Sequence, residues 1–199
     1  MQTSPSRKAQ RRAVWLAATL GLLLTVGNQP MVHSDTAEYQ LKSAFIHNFA
    51  RMVKWPETDS SASSGTLQVC VIEADSSDDE VTETLYRRIN GKEAQGLVVD
   101  VRSWKEDDAE DPSNCQIVFF VAETGALMPE LIDLLAANHI LTIGETETFA
   151  GQGGVINFVT VDTKVRFEIN PDAAERAGLT INSQLIRLAT IVHDQTQRS

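Results

Sequence analysis

HILTIGETETFAGQGGVINFVTVDTKVRFEI, residues 139 to 169, places Gly151, Gly153 and Gly154 between two apolar runs. A phosphate-binding loop needs a strand, a glycine turn and then a helix, so that the helix N-terminus and free backbone N–H groups point at the anion. Here VINFVTV (155 to 161) reads as a second strand, and neither G-x-x-x-x-G-K-[ST] nor G-x-G-x-x-G is present. KVRFEI (164 to 169) follows after only Asp162 and Thr163, which is a hairpin signal. Within it Val165, Phe167 and Ile169 alternate with Lys164, Arg166 and Glu168, so one face is buried and the other wet. The glycines therefore read as a turn that needs a positive φ or a close backbone approach where the chain enters an edge hairpin.

Upstream the pattern is different. TLQVCVIE (66 to 73) has no alternation, as expected of a strand buried on both faces. GLVVDVR (96 to 102), QIVFFVA (116 to 122) and HILTIGE (139 to 145) add three more strands. Between them fall a short helix near 80 to 90, stopped by Gly91, and an amphipathic helix over 126 to 138 with Pro129 in its first turn. Strands alternating with helices imply right-handed crossovers and a largely parallel sheet.

Residues 37 to 55 form the opening helix, capped by Thr36 and ended at Trp55 because Pro56 disfavours helical geometry before it. Its core stripe is Leu41, Phe45, Phe49 and Met52, within an arc of about 80 degrees. A helical turn from Ala173 to Ala177 stops at Gly178, and the last helix, 182 to 195, turns Leu185, Leu188, Ala189 and Val192 to the core. The expected architecture is one α/β domain over 35 to 199: a mixed, mostly parallel six-stranded sheet, about five helices, a C-terminal β-hairpin and a closing helix.

The first 34 residues read as a secretory signal peptide, with basic RKAQRR (7 to 12) before apolar AVWLAATLGLLLTV (13 to 26). That run is shorter than the roughly 20 residues a membrane span needs. Periplasmic export is the expectation. Cleavage after Ser34 would remove Arg7, Lys8, Arg11 and Arg12 and no acidic residue, taking the formal charge from −10 to about −14. Such a field repels nucleic-acid phosphates, so no nucleic-acid partner is expected. Cys70 and Cys115 are the only cysteines. In an oxidising compartment an even count favours a disulfide, with two buried thiols as the alternative.

No catalytic grouping stands out, and the chain reads as a non-enzyme without cofactor or metal. G-x-S-x-G and H-E-x-x-H are missing, and His47, His139 and His193 have no ligand spacing. The acidic runs at 75 to 80 and 106 to 111 lack the spacing of a calcium loop and read as solvated. Glu73 follows the first strand as acidic residues do in phospho-receiver domains, a superficial analogy for an exported chain. Exposed aromatic and guanidinium groups are favoured interface anchors. The binding candidates are therefore Trp55, which ends a helix at the entrance to a polar linker, and Arg166 and Glu168 on the polar hairpin face; Trp104 reads as core or surface.

YQLKSAFIHNFARMVKWP (39 to 56) resembles the opening helix of the YfiR-type periplasmic proteins, matching at Phe45, Asn48, Phe49, Arg51, Trp55 and Pro56. Residues 140 to 192 resemble that family's end: a strand, a Phe-Ala turn with Gly-Gly, a hairpin, Arg-Phe-Glu-Ile-Asn, a helix ending Ala-Gly-Leu and a closing helix. The resemblance implies a periplasmic homodimer that binds the periplasmic sensor region of a membrane diguanylate cyclase and holds it inactive. An outer-membrane lipoprotein that sequesters the repressor raises cyclic-di-GMP and favours biofilm. Repressors of this type often carry a second cysteine pair around the Phe-Ala-Gly segment, whereas Phe149, Ala150 and Gly151 have no thiol nearby. Cys70 and Cys115 match the other pair, which implies a structural bridge. Sensing of a small molecule on behalf of a kinase or transporter is the second reading, motivated by Arg166 and the polar hairpin face.

Overall fold

The computed structural model describes residues 34–56, 65–73, 80–105, 112–121 and 128–195. The signal segment, most of the polar linker and the acidic runs, Glu80 excepted, lie outside the described residues.

Among the described residues five α-helices form: α1 (Ser34–Met52), α2 (Glu80–Ile89), α3 (Met128–Ala137), α4 (Pro171–Arg176) and α5 (Ser183–Leu188). The six expected strands are all present, as β2 (Thr66–Ile72), β4 (Leu97–Trp104), β5 (Ile117–Phe120), β6 (Leu141–Gly144), β7 (Ile156–Val161) and β8 (Lys164–Ile169). Four two-residue strands join them: β1 (Val53–Lys54), β3 (Glu93–Ala94), β9 (Thr180–Ile181) and β10 (Thr190–Ile191). The main sheet is therefore eight-stranded, in the order β10-β8-β7-β6-β5-β2-β4-β3, with β1 and β9 pairing separately. Pairs this short carry almost no periodicity, so they leave no sequence signal.

β2, β4, β5, β6 and β7 run parallel, starting at β2, stepping to β4 and then crossing back to β5. This doubly wound order puts helices on both faces. On one face α1 and α2 close the larger core with the sheet. On the other, Ile132 and Leu135 of α3 pack with Val118, Phe120, Phe149 and the Cys70–Cys115 disulfide. Glu73, just past β2, accepts hydrogen bonds from Thr82 N (2.9 Å) and Thr82 Oγ1 (2.6 Å). It is engaged as the cap of α2, where the helix N-terminus favours a carboxylate.

Three boundaries differ from expectation. Helix α1 begins by Ser34 and ends at Met52, before Trp55, because Val53 and Lys54 pair with Ile181 and Thr180. Its buried face is carried by Ile46, Phe49 and Ala50, with Phe45 and Met52 partly buried against the core, while Leu41 is 46% exposed. The buried arc is thus rotated toward Ile46 and Ala50, with Phe45, Phe49 and Met52 on the core as expected and Leu41 outside it. The rotation seats Lys42 inside, and Phe45 and Phe49 against Phe158 and Phe167 with centroids 5.2–6.1 Å apart. The closing helix is only α5, and Leu188 is 71% exposed instead of core-facing. Beyond it the chain extends, and Thr190 and Ile191 pair in parallel with Glu168 and Ile169. Backbone pairing to an open strand outweighs the helical periodicity there.

The hairpin forms as read. Asp162 and Thr163 take φ of 48° and 61°, the left-handed pair of a type I′ turn whose twist matches the strands. Val165 is half-buried and Phe167 and Ile169 are buried, while Lys164 and Arg166 are exposed.

Candidate functional site

The C-terminal quarter of the chain builds an open cleft at the β10 edge of the sheet. Asn170 caps α4, accepting from Ala173 N (3.1 Å) and donating to Ala150 O (2.7 Å). Gly178 then turns the chain with φ +68°, and the His139 ring fills the space beside it. The following residues pair as β9 with β1, and Asn182 caps α5 through Gln184 N at 2.8 Å. Between α4, β9, α5 and β10 lies a cleft of about 500 Å³ lined by Ile169, Leu179, Ile181, Ile186 and Ile191, with Glu175 adding a carboxylate. Ile186 and Ile191 are 40% and 42% exposed, and Leu188 lies on the same α5–β10 segment.

Beside it is a polar groove lined by Asp172, Glu175, Arg176 and Asp194, so Glu175 borders both. Arg176 pairs with Asp194, and His193 Nδ1 lies 2.9 Å from Asp172. Burial works against the Asp194 carboxylate, but hydrogen bonds from Arg176 and Asn170 and the Arg176 charge outweigh it and hold its pKa below the ordinary value. An apolar centre with a charged rim is the anatomy of a protein-binding surface.

A second polar cluster joins α1 to the end of β6. Lys42 Nζ lies 2.6 Å from Glu145 and 2.5 Å from Glu38, and Tyr39 donates to Glu145 at 2.9 Å. Burial first, then the Glu145 charge and hydrogen bond, push the Tyr39 pKa far above its ordinary value. The group is internally satisfied and fixes α1 on the sheet.

The anticipated binding residues are dispersed. Trp55 is half-buried, packs on the main core and donates from Nε1 to Gln116 O at 3.3 Å. Arg166 is exposed opposite Val159. Glu168 accepts from Asn157 Nδ2 at 3.1 Å and sits opposite Thr190. None of the three lines the cleft, although Glu168 and Ile169 hold β10, which does. The three histidines among the described residues separate: His47 contacts Glu93 O, His139 contacts Ala177 O and His193 contacts Asp172. Ile186 and Ile191 were not anticipated, because the segment reads as a helix whose apolar residues face inward.

The sequence profile described as YfiR/HmsC-like matches residues 39–190, from α1 to the first residue of β10. The chain belongs to the YfiR/HmsC-like family. That family is one of periplasmic regulators, and the cleft lies almost wholly inside the matched span. No curated protein sequence matches the chain. Among solved structures, a conserved domain protein from Vibrio cholerae O1 biovar eltor str. N16961 is similar with a TM-score of 0.53 at 12% identity, covering 77% of this chain and 59% of that one. An ABC domain in complex with L-Trp from Streptococcus pneumonia has a TM-score of 0.48 at 10% identity, covering 77% and 60%. This YfiR/HmsC-like chain spans about three fifths of the length of these proteins, and the first likeness bears on the fold alone.

Proposed function

We propose that this protein is an exported regulator that represses an inner-membrane diguanylate cyclase by binding the cyclase's periplasmic sensor region, with the cleft at the β10 edge as its contact surface. Membership in a family of periplasmic regulators across 39–190 carries the proposal, and the exposed Ile186, Leu188 and Ile191 support the choice of surface. The protein forms no covalent bond in this role and needs no cofactor. Binding only the inactive cyclase lowers the active population, and a tenfold shift takes about 1.4 kcal/mol of differential affinity. A homodimer is the acting form, and an outer-membrane lipoprotein that occupies the same surface relieves repression.

Deleting the gene and measuring cyclic-di-GMP tests the role, with a rise expected. Unchanged cyclic-di-GMP, together with no cyclase recovered on the tagged protein, would sink it. A second reading, small-molecule sensing on behalf of a kinase or transporter, is favoured by the cleft volume of about 500 Å³, inside the usual range for ligand sites. Saturable thermal stabilisation by an amino acid, vitamin or nucleotide would support it.

A further inference from the structure

β10 is the end strand of the eight-stranded sheet, and among the described residues no strand pairs with its other side. Its inner side is fixed by the parallel register with β8, Thr190 opposite Glu168 and Ile191 opposite Ile169, and by the bond from Val192 N to Ile169 O at 3.0 Å. In a parallel ladder alternate residues turn both backbone polar groups to the same neighbour. Thr190 and Val192 face β8, so Ile191 and His193 turn their N–H and C=O groups outward. Both residues are exposed. Unpaired backbone groups along an edge are a template for another strand, and residues 189 to 194 carry neither the Lys nor the Pro that blunts such edges.

Residues opposite one another on neighbouring strands share a face of the sheet. Ile169 and Ile191 share the face that lines the cleft, so a residue added opposite Ile191 points into it. Two residues on, His193 shares that face, and its Nδ1 reaches Asp172 at 2.9 Å. This end of the edge is acidic. Asp172, Glu175 and Asp194 line the groove there with Arg176, whose charge is already taken up by Asp194.

We propose that β10 takes an added strand: an extended segment of the cyclase's sensor region that carries an apolar side chain and, two residues away, a Lys or Arg. The apolar side chain enters the cleft beside Ile191, and the cation meets Asp172 and Glu175. The residue between them falls on the opposite face. Main-chain bonds to Ile191 and His193 supply affinity that is indifferent to sequence, while the two side chains select the segment. The surplus carboxylates on the rim reject an acidic segment by like-charge repulsion. The proposal rests on the reading of this edge as the cyclase contact and adds the conformation and chemistry of what is bound.

The test titrates the purified protein with the cyclase's periplasmic domain by calorimetry and selects a phage-displayed random peptide library on the same protein. Selected peptides should share an apolar residue and a Lys or Arg two positions apart. Ile191→Pro removes an outward N–H and spares the bonds to β8, so it should weaken both the domain and the selected peptides at least about tenfold. Methylating the outward-pairing backbone nitrogens of a selected peptide should do the same without any change to the protein. Glu175→Lys should weaken the Lys-bearing peptides about tenfold and favour versions with Glu in that place. Domain binding that Ile191→Pro leaves unaltered would overturn the strand addition while the cyclase role stands. A domain that fails to bind wild-type protein sinks the cyclase role, and the peptides then decide: no shared apolar and basic pair, or full affinity after N-methylation, overturns the docking mode. A wild-type dimer that Ile191→Pro makes monomeric would give the edge to a second copy and overturn it equally.

Discussion

The Phe149 ring occupies the place where Gly154 would carry a side chain: a Cβ there would lie 2.1 Å from Phe149 Cε1. Gly144 faces the ring from β6, its Cβ position 2.3 Å from Phe149 Cγ. The glycine run accordingly lodges an aromatic anchor of the outer core between β6 and β7. Gly154→Ala must displace a fully buried ring, and overpacking of this kind costs about 1–3 kcal/mol. Urea denaturation should show the loss as a lower midpoint with an unchanged slope. Phe149→Ala, which leaves a cavity, should cost more, about 3–5 kcal/mol.

The side chains of Lys42 and Glu145 are 6% and 5% exposed. Removing one partner strands the other charge in the interior, so Lys42→Met should destabilise by about 3–5 kcal/mol. The double variant Lys42→Met with Glu145→Leu should recover much of that loss. A double-mutant cycle by chemical denaturation measures the coupling, and additive losses would show that the pair contributes nothing as a pair.

Asp194 sets part of the acid limb. Because its folded pKa lies below the ordinary 3.8, the folded state binds fewer protons than the unfolded state as pH falls. Its stabilisation is fully present above the ordinary value and disappears as pH drops through the lowered one. Asp194→Asn should therefore destabilise at neutral pH and flatten the stability profile below about pH 4. Denaturation midpoints across that range test it; parallel profiles for the two proteins would contradict it.

Leu188 is 71% exposed, so Leu188→Asp should leave folding stability within about 0.5 kcal/mol. If the β10 edge is the cyclase-binding surface, the same change, or Ile186→Asp, should weaken binding by 2 kcal/mol or more, about 30-fold. Titration calorimetry against the cyclase's periplasmic domain reads this directly. Unaltered affinity in both variants would move the contact elsewhere.

Much of the architecture was legible because its determinants are local or periodic. TLQVCVIE, without alternation, is an interior strand paired on both sides; the alternation of Val165, Phe167 and Ile169 gives the hairpin face; Asp162-Thr163 gives its turn. The family resemblance was equally legible, since packing motifs such as Asn48-Phe49 and Trp55-Pro56 recur in sequence. The cleft was not legible. Ile186, Leu188 and Ile191 are apolar residues at helical spacing, and nothing in their order says that α5 stops at Leu188.

By itself the sequence determined the order of the six long strands, the antiparallel hairpin turn at Asp162-Thr163 and the two cysteines available to pair. Only the tertiary structure decided which face of α1 is buried, where the last helix gives way to a strand and which apolar side chains stay exposed. Those outcomes depend on partners distant in the chain: Glu145 opposite Lys42, Thr180 opposite Lys54 and Glu168 opposite Thr190. A backbone or charge that finds such a partner gains more than a local periodicity offers, and no window of neighbouring residues contains that information.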